Sequence, residues 1–174
     1  MKVVTEKRKK LRIPAEPHHA RTIPRTCFSK ILVPIDFTDC SQRALYFAVC
    51  LAQHHRARLI LLHVAETGVP QGNSGRLAPL EKDLQRSGRK QLSNVRRREV
   101  PAGMRVQSIV RAGRSDSEIL HVAKASKADL IVMATHSRDS QQGQLGLTVE
   151  RVARVADCPV LLVPVPDHRV PFFL

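Results

Sequence analysis

The sequence of 174 residues predicts an α/β fold, a three-layer sandwich in which helices cover both faces of a parallel β-sheet. Five apolar or alternating runs of strand length are separated by four stretches with helical periodicity. Residues 128–164 predict a strand, a loop, a helix and a strand, and such a unit joins parallel neighbours by a right-handed crossover. The loop after Met133 is therefore expected at the carboxyl edge of the sheet, where open α/β folds bind their ligands.

The predicted strands are short runs bounded by turn residues. They cover residues 31–36, 58–64, 104–110, 130–133 and 159–163. The first run ends in the carboxylate of Asp36, and the third alternates only weakly, which indicates a strand at an edge of the sheet. Each run has the length of a single strand, so that the five together account for one sheet.

The predicted helices follow from apolar residues repeated at helical spacing. They cover residues 41–55, 77–98, 115–125 and 148–156. Candidate caps for the first helix are Thr38, Asp39 and Ser41. Ser115-x-x-Glu118 has the pattern of a capping box for the third helix. The second helix has a narrow apolar stripe and is expected on the outside, and its terminal arginines 96–98 are attributed to the helix dipole in preference to a binding patch.

Composition excludes several classes of protein. No apolar run has the length of a membrane span, and the basic N-terminus lacks the apolar segment of a secretory signal, so a soluble, cytoplasmic protein is expected. The four cysteines are Cys27, Cys40, Cys50 and Cys158. Because no pair has C-x-x-C spacing, they are interpreted as reduced thiols in or near the core, and no metal site is predicted.

Charge divides the chain into three parts. Residues 1–27 hold eight Lys or Arg and two acidic residues, Glu6 and Glu16, so they contribute about +6 of the formal net charge of +14. They also lack apolar periodicity. They are expected to form a disordered or loosely docked arm, residues 28–166 a domain, and residues 167–174 a short tail that ends in two phenylalanines and a leucine. The arm could contact nucleic acid, an acidic membrane or an acidic partner, and the tail either covers an apolar patch or docks on a protein partner.

Several ordered blocks of this domain resemble one known family. The blocks are KILVPIDFTDCSQRAL, LILLHV, ADLIVMATHSR and VERVARVADCPVLLVP. They are similar to the universal stress protein family of the UspA type, over residues 28–166. The resemblance implies a sheet of order 3-2-1-4-5, with strands one and four adjacent, and a homodimer paired through the last strand. In one subfamily it also implies a bound ATP.

The resemblance places a candidate nucleotide site after the fourth strand. ATP-binding relatives have Gly-x2-Gly-x9-Gly-Ser/Thr there, since glycines let backbone N–H groups approach phosphates. In this sequence the glycine positions fall on Ala134, Ser137 and Leu147, and the hydroxyl position is Thr148. Counting Gly146 as the third glycine instead, with Gly143 nearby in the loop, puts Leu147 at the hydroxyl position. The remaining matches, on the adenosine side, are Pro34, Asp36, Val64, Met133 and Val149.

The sequence therefore favours a regulatory or stress-protective homodimer with a degenerate nucleotide site, and not an enzyme, although slow ATP hydrolysis stays open. No cofactor is expected, and any binding of ATP or AMP should be weak. One alternative is a true ATP or AMP binder with a remodelled phosphate loop. A second is a nucleic-acid or membrane tether acting through residues 1–27. His136, Ser137 and Asp36 suggest a hydrolytic trio, but no nucleophile elbow or oxyanion hole accompanies them.

Overall fold

A computed structural model describes residues 28–66, 74–135 and 145–164 of the chain. The strands are β1 (Lys30–Pro34), β2 (Arg58–Ala65), β3 (Val106–Ala112), β4 (Leu130–Ala134) and β5 (Val160–Val163). The helices are α1 (Asp39–His55), α2 (Ser74–Glu99), α3 (Ser115–Ser126) and α4 (Leu147–Val155). All nine predicted elements are present. The arm of residues 1–27 and the tail of residues 167–174 lie outside the described residues.

The strands form one parallel sheet of order β3-β2-β1-β4-β5, which confirms the predicted fold class and topology. β1 is central and pairs with β2 on one side and with β4 on the other. β3 lies at an edge, as its weak alternation predicts. Of the described helices, none is long and apolar enough to span a membrane.

Two hydrophobic clusters cover the two faces of the sheet. Ile31 and Val33 of β1 point to the face covered by α1 and α2, where Leu45 and Leu92 are fully buried. Leu32 of β1 points to the other face, with the buried residues of α3 and α4. Because β1 is buried on both faces, its sequence is a continuous apolar run and does not alternate.

Three local predictions can be compared with the structure, and two of them need correction. Thr38, one of the three candidate caps, is the N-cap of α1, since its hydroxyl accepts the N–H of Ser41 at 3.2 Å. The capping box predicted at Ser115 is wrong, because the N-cap of α3 is Arg114 and makes no side-chain cap bond.

The cysteines were predicted to lie in or near the core. Cys50 is exposed and so is not a core thiol, whereas Cys40 and Cys158 are half-buried, and all three are free. Burial raises the pKa of the Cys158 thiol.

A carboxylate fixes the amino edge of the sheet, opposite the carboxyl ends of the strands. Asp129 accepts the backbone N–H groups of Ser29 at 2.7 Å and of Lys30 at 3.1 Å. The ammonium of Lys30 in turn donates to the carbonyl of Ser126, at the end of α3, at 2.7 Å. The start of β1 is thus hydrogen-bonded to the segment that leads from α3 into β4.

Replacing Asp129 with alanine should destabilise the fold by about 1 to 3 kcal/mol, because two backbone donors lose their acceptor. Urea denaturation would measure the loss. The matched control is Asp157→Ala, an exposed aspartate nearby, which should change the free energy of unfolding by less than about 0.5 kcal/mol. Equal effects of the two substitutions would contradict a specific role for Asp129.

Candidate functional site

A cavity of about 420 Å³ opens at the carboxyl ends of the central strands β1, β2 and β4. Its walls also include residues from the first turns of α1, α3 and α4. β1 is followed by α1 on one face, whereas β4 is followed by α4 on the other. The crevice therefore lies at the switch point of the sheet, the place where open α/β folds bind ligands.

Seven of the nine predicted site residues line this cavity. They are Pro34, Asp36, Val64, Met133, Ala134, Thr148 and Val149. Leu147 does not line it, and its side chain is 71% exposed. Ser137 lies outside the described residues, together with His136 and Gly143. Whether these side chains contact a nucleotide stays a prediction.

Sequence patterns missed the other half of the lining. The additional residues are Ile35, Thr38, Ser41, Leu62, Glu66, Ser115 and Ile119. Glu66 directly follows β2, and Ser115 is the first residue of α3. The sequence could have indicated both residues from their positions after a strand and at the start of a helix, because strand ends and helix starts meet at the carboxyl edge of a parallel sheet.

The turn between β1 and α1 fixes the carboxylate of Asp36. Its Oδ1 atom accepts the hydroxyl of Thr38 at 2.6 Å and the N–H of Thr38 at 3.0 Å. Between these residues, Phe37 has a φ of 64°, in the left-handed region that costs an L-residue about 1 to 2 kcal/mol. Asp36 is not the helix cap itself. It holds the capping residue, and its side chain remains exposed at the cavity.

His63 packs against the turn between β1 and α1. Its Nδ1 atom lies 2.8 Å from the carbonyl oxygen of Ile35, and its ring lies 4.3 Å from that of Phe37. On the far side, a Cβ atom placed on Gly88 would lie only 2.6 Å from Cδ2 of the histidine. His63 is therefore a hydrogen-bonded packing residue, as expected of a histidine near a strand end.

The first turn of α3 is held by a cluster of charges. Asp116, whose side chain is 10% exposed, pairs with Arg114 at 2.8 Å and with Arg151 of α4 at 3.2 Å. The hydrogen bond from Arg114 is the main cause that lowers the pKa of the Asp116 carboxyl. Glu66 accepts the N–H of Ser115 at 3.2 Å. These contacts tie α3 to both α4 and the end of β2.

The start of α4 forms the remaining wall. Gly146 is the N-cap of this helix, and its N–H donates to the carbonyl of Thr135 at 3.2 Å. Thr148 is the second helical residue, so its hydroxyl does not cap the helix. Helix geometry leaves the N–H groups of the first turn without intrahelical partners.

The charge of the cavity is negative in the described part of its lining. Its charged side chains are Asp36 and Glu66, and no Lys or Arg belongs to this set. The described residues also contain no group of three or more His, Cys, Asp or Glu side chains that could hold a metal ion. The first turns of α1, α3 and α4, which border the cavity, are then the described features that attract an anion.

Comparisons with known proteins agree on one family. The sequence model of the universal stress protein family matches residues 28–164. The universal stress protein YxiE of Bacillus subtilis is 30% identical over 146 residues, which cover 78% of this chain and 99% of that protein. The solved structure of protein MJ0577, from Methanocaldococcus jannaschii, has a TM-score of 0.72 at 25% identity, covering 81% of this chain and 99% of that one. A universal stress protein solved in complex with cAMP shares the fold, with a TM-score of 0.55 at 22% identity, covering 80% and 98%.

Replacing Asp116 with asparagine should lower the free energy of unfolding at neutral pH by about 1 kcal/mol, since both arginine partners are more than half exposed. The lowered pKa means that the carboxylate stabilises the fold above its ordinary pKa of 3.8 and loses this effect as the pH falls through the lowered value. Denaturation of both proteins between neutral and acidic pH would measure the difference. Asp83→Asn, on exposed α2, is the control, and a constant difference down to the lowest pH would contradict the assignment.

Proposed function

This chain belongs to the universal stress protein family, and from that premise we propose that it acts in the cytoplasm as a small regulatory or stress-protective homodimer. It is not primarily an enzyme. Its cavity accommodates the nucleoside part of an adenine nucleotide and binds the phosphates weakly. The observation that carries this proposal is the charge of the described lining, which holds two carboxylates and no cation.

The nucleoside part of the proposal rests on shape and on one acceptor. Val64, Met133 and Ile119 provide apolar surface against which a planar base can pack. Asp36 presents a carboxylate whose direction is fixed by Thr38, so that it can accept hydrogen bonds from a ribose hydroxyl or from an exocyclic amino group. Because the carboxylate is held before the ligand enters, binding requires little reordering.

The phosphate part of the proposal follows from electrostatics. A triphosphate brings several negative charges into a cavity that is lined by Asp36 and Glu66, and like charges repel. Phosphate-binding sites commonly contain a Lys or Arg, and the described lining offers only the first turns of helices. A nucleoside or a monophosphate should therefore bind better than a triphosphate. A relative solved with cAMP supports this choice of ligand class.

The position of Gly146 supports a second candidate, an ATP binder with a remodelled loop. A glycine at the N-cap of α4 leaves no side chain between the first-turn N–H groups and an incoming phosphate. In this alternative the segment after β4 supplies the remaining phosphate contacts. The two candidates differ in their order of affinity for adenosine, AMP and ATP.

Assembly through the last strand is the third part of the proposal. β5 pairs with β4 on one side and has no described partner on the other, and Leu161 on it is 39% exposed. Val155, at the end of α4, is 63% exposed. An apolar strand at an open edge invites pairing with another chain, and a second copy would bury these side chains.

Calorimetric titration of the Glu66→Gln variant tests the nucleotide site. Glutamine keeps an acceptor for the N–H of Ser115 but removes the charge. We expect the affinity for ATP to rise about threefold to tenfold, because one repulsion is removed, while the affinity for adenosine changes less than about twofold. Glu99→Gln, far from the cavity at the end of α2, should change neither value.

The same titration of the unchanged protein separates the two candidates. A dissociation constant for ATP below about 10 µM, with ATP preferred to AMP, would favour the remodelled loop and contradict the weak-phosphate site. No binding of adenosine, AMP or ATP at millimolar concentration would contradict both. Nucleotide released by denaturing protein purified from cells would identify the physiological ligand.

Replacing Leu161 with arginine should convert the dimer into a monomer, because a charge on the β5 edge would have to be buried at the interface. Analytical ultracentrifugation at tens of micromolar would show the change in mass. The matched control is Gln107→Arg on β3, an exposed residue at the opposite edge of the sheet, and this variant should remain dimeric. A wild-type protein that sediments as a monomer would refute this interface.

A further inference from the structure

The folded domain has a strongly basic surface outside the cavity. The sequence of α2 contains eight Lys or Arg and three Asp or Glu, so this helix contributes about +5 of the net charge of +14 of the whole chain. Seven of these basic residues have described, exposed side chains, and six of the seven fall within a stripe about 120° wide when each residue advances about 100° around the helix. These six are Lys82, Arg86, Arg89, Lys90, Arg96 and Arg97. We call this set the α2 basic stripe.

The stripe borders a concave surface between α2 and the edge strand β3. Arg89 and Arg96 line a cleft of about 220 Å³ together with Ser108 and Val110 of β3. Arg96 and Arg97 line an adjoining cleft of about 420 Å³, which continues to the turn that follows α2. The two clefts share Ser93 and Arg96, so they form one continuous groove along the edge of the sheet.

The cations of the stripe are not neutralised within the described part of the protein. None of the six forms an ion pair with a described carboxylate. Arg89 and Arg97 make hydrogen bonds only to the neutral side chains of Gln85 and Asn94, at 3.5 and 3.0 Å. Complementing the helix dipole would need cations only in the last turn. The stripe extends from Lys82 to Arg97, so the dipole alone does not explain it.

We propose that the groove between α2 and β3 binds the phosphodiester backbone of a nucleic acid, independently of sequence. Arg89 and Arg96 are seven positions apart, which corresponds to about 10.5 Å along the helix axis. This distance is close to the axial rise of three nucleotides of one DNA strand at about 3.4 Å each. Arginine suits this role because its planar guanidinium matches phosphate geometry. Ser93 and Ser108 add hydroxyl donors in the groove.

An acidic membrane surface is the other partner that the charge could attract, and the structure favours it less. Proteins that bind a membrane surface usually insert apolar side chains. Of the large apolar side chains that are exposed in the described part of the chain, none lies on α2 or β3. The surface is also concave, whereas a bilayer is flat on this scale. Described aromatic side chains are likewise absent from both elements, so contacts to phosphates are expected in place of base stacking.

Fluorescence anisotropy of a labelled, mixed-sequence DNA, as a single strand and as a duplex, tests the proposal with the full chain. The groove variant is Arg89→Gln, Arg96→Gln and Arg97→Gln. The matched control, on the opposite face of the sheet, is Lys124→Gln, Lys127→Gln and Arg154→Gln, which removes the same charge from exposed positions. A second comparison removes charge from the arm by Lys7→Gln, Lys9→Gln and Lys10→Gln.

We expect the groove variant to bind at least about tenfold more weakly than the control at low salt. The slope of its plot of log affinity against log salt concentration should also be smaller in magnitude by about 2 to 3. Equal affinities of the groove and control variants would overturn the proposal. So would loss of binding only in the arm variant, absence of binding to both DNA forms, or binding to phosphatidylserine vesicles but not to DNA. Urea denaturation of all three variants would confirm that each is folded.

Discussion

The adjacency of β1 and β4 is the constraint on which the rest of the structure depends. β1 is hydrogen-bonded on both sides and buried on both faces, so it fixes the centre of the sheet. The chain leaves β1 toward one face and β4 toward the other, and no helix can cover the gap between them. The cavity is therefore a product of topology and does not depend on any one side chain. Side chains determine only what it can bind.

The fold could be predicted from sequence because it follows from hydrophobic burial, which periodicity reports directly. Leu32 and Val33 needed only to be apolar and consecutive for their strand to be assigned to a buried position. Helix starts were harder to predict, because they depend on contacts between distant segments. At α3 the N–H of Ser115 is taken by Glu66, which lies 49 residues earlier in the chain, and the helix begins one residue earlier than the local capping pattern implies.

The candidate site was only half predictable for a related reason. A family motif identifies residues by their spacing along one segment, and it found Pro34, Met133 and their partners. It could not identify Glu66, which belongs to no motif and reaches the cavity through the parallel arrangement of β1 and β2. The net charge of the cavity lining depends on side chains from several strands and helices. The acidic character of the described lining therefore became visible only when segments from several elements were placed together.

The close approach of Gly88 to His63 has a mechanical consequence. The imidazole contacts the β1–α1 turn on one side, through Ile35 and Phe37, and the backbone of α2 on the other. With so little space at Gly88, a displacement of the turn by an entering ligand must either rotate the histidine or move the helix. The β1–α1 turn at the cavity and the outer helix thus both contact this one ring, which gives a displacement of the turn a direct route to the backbone of α2.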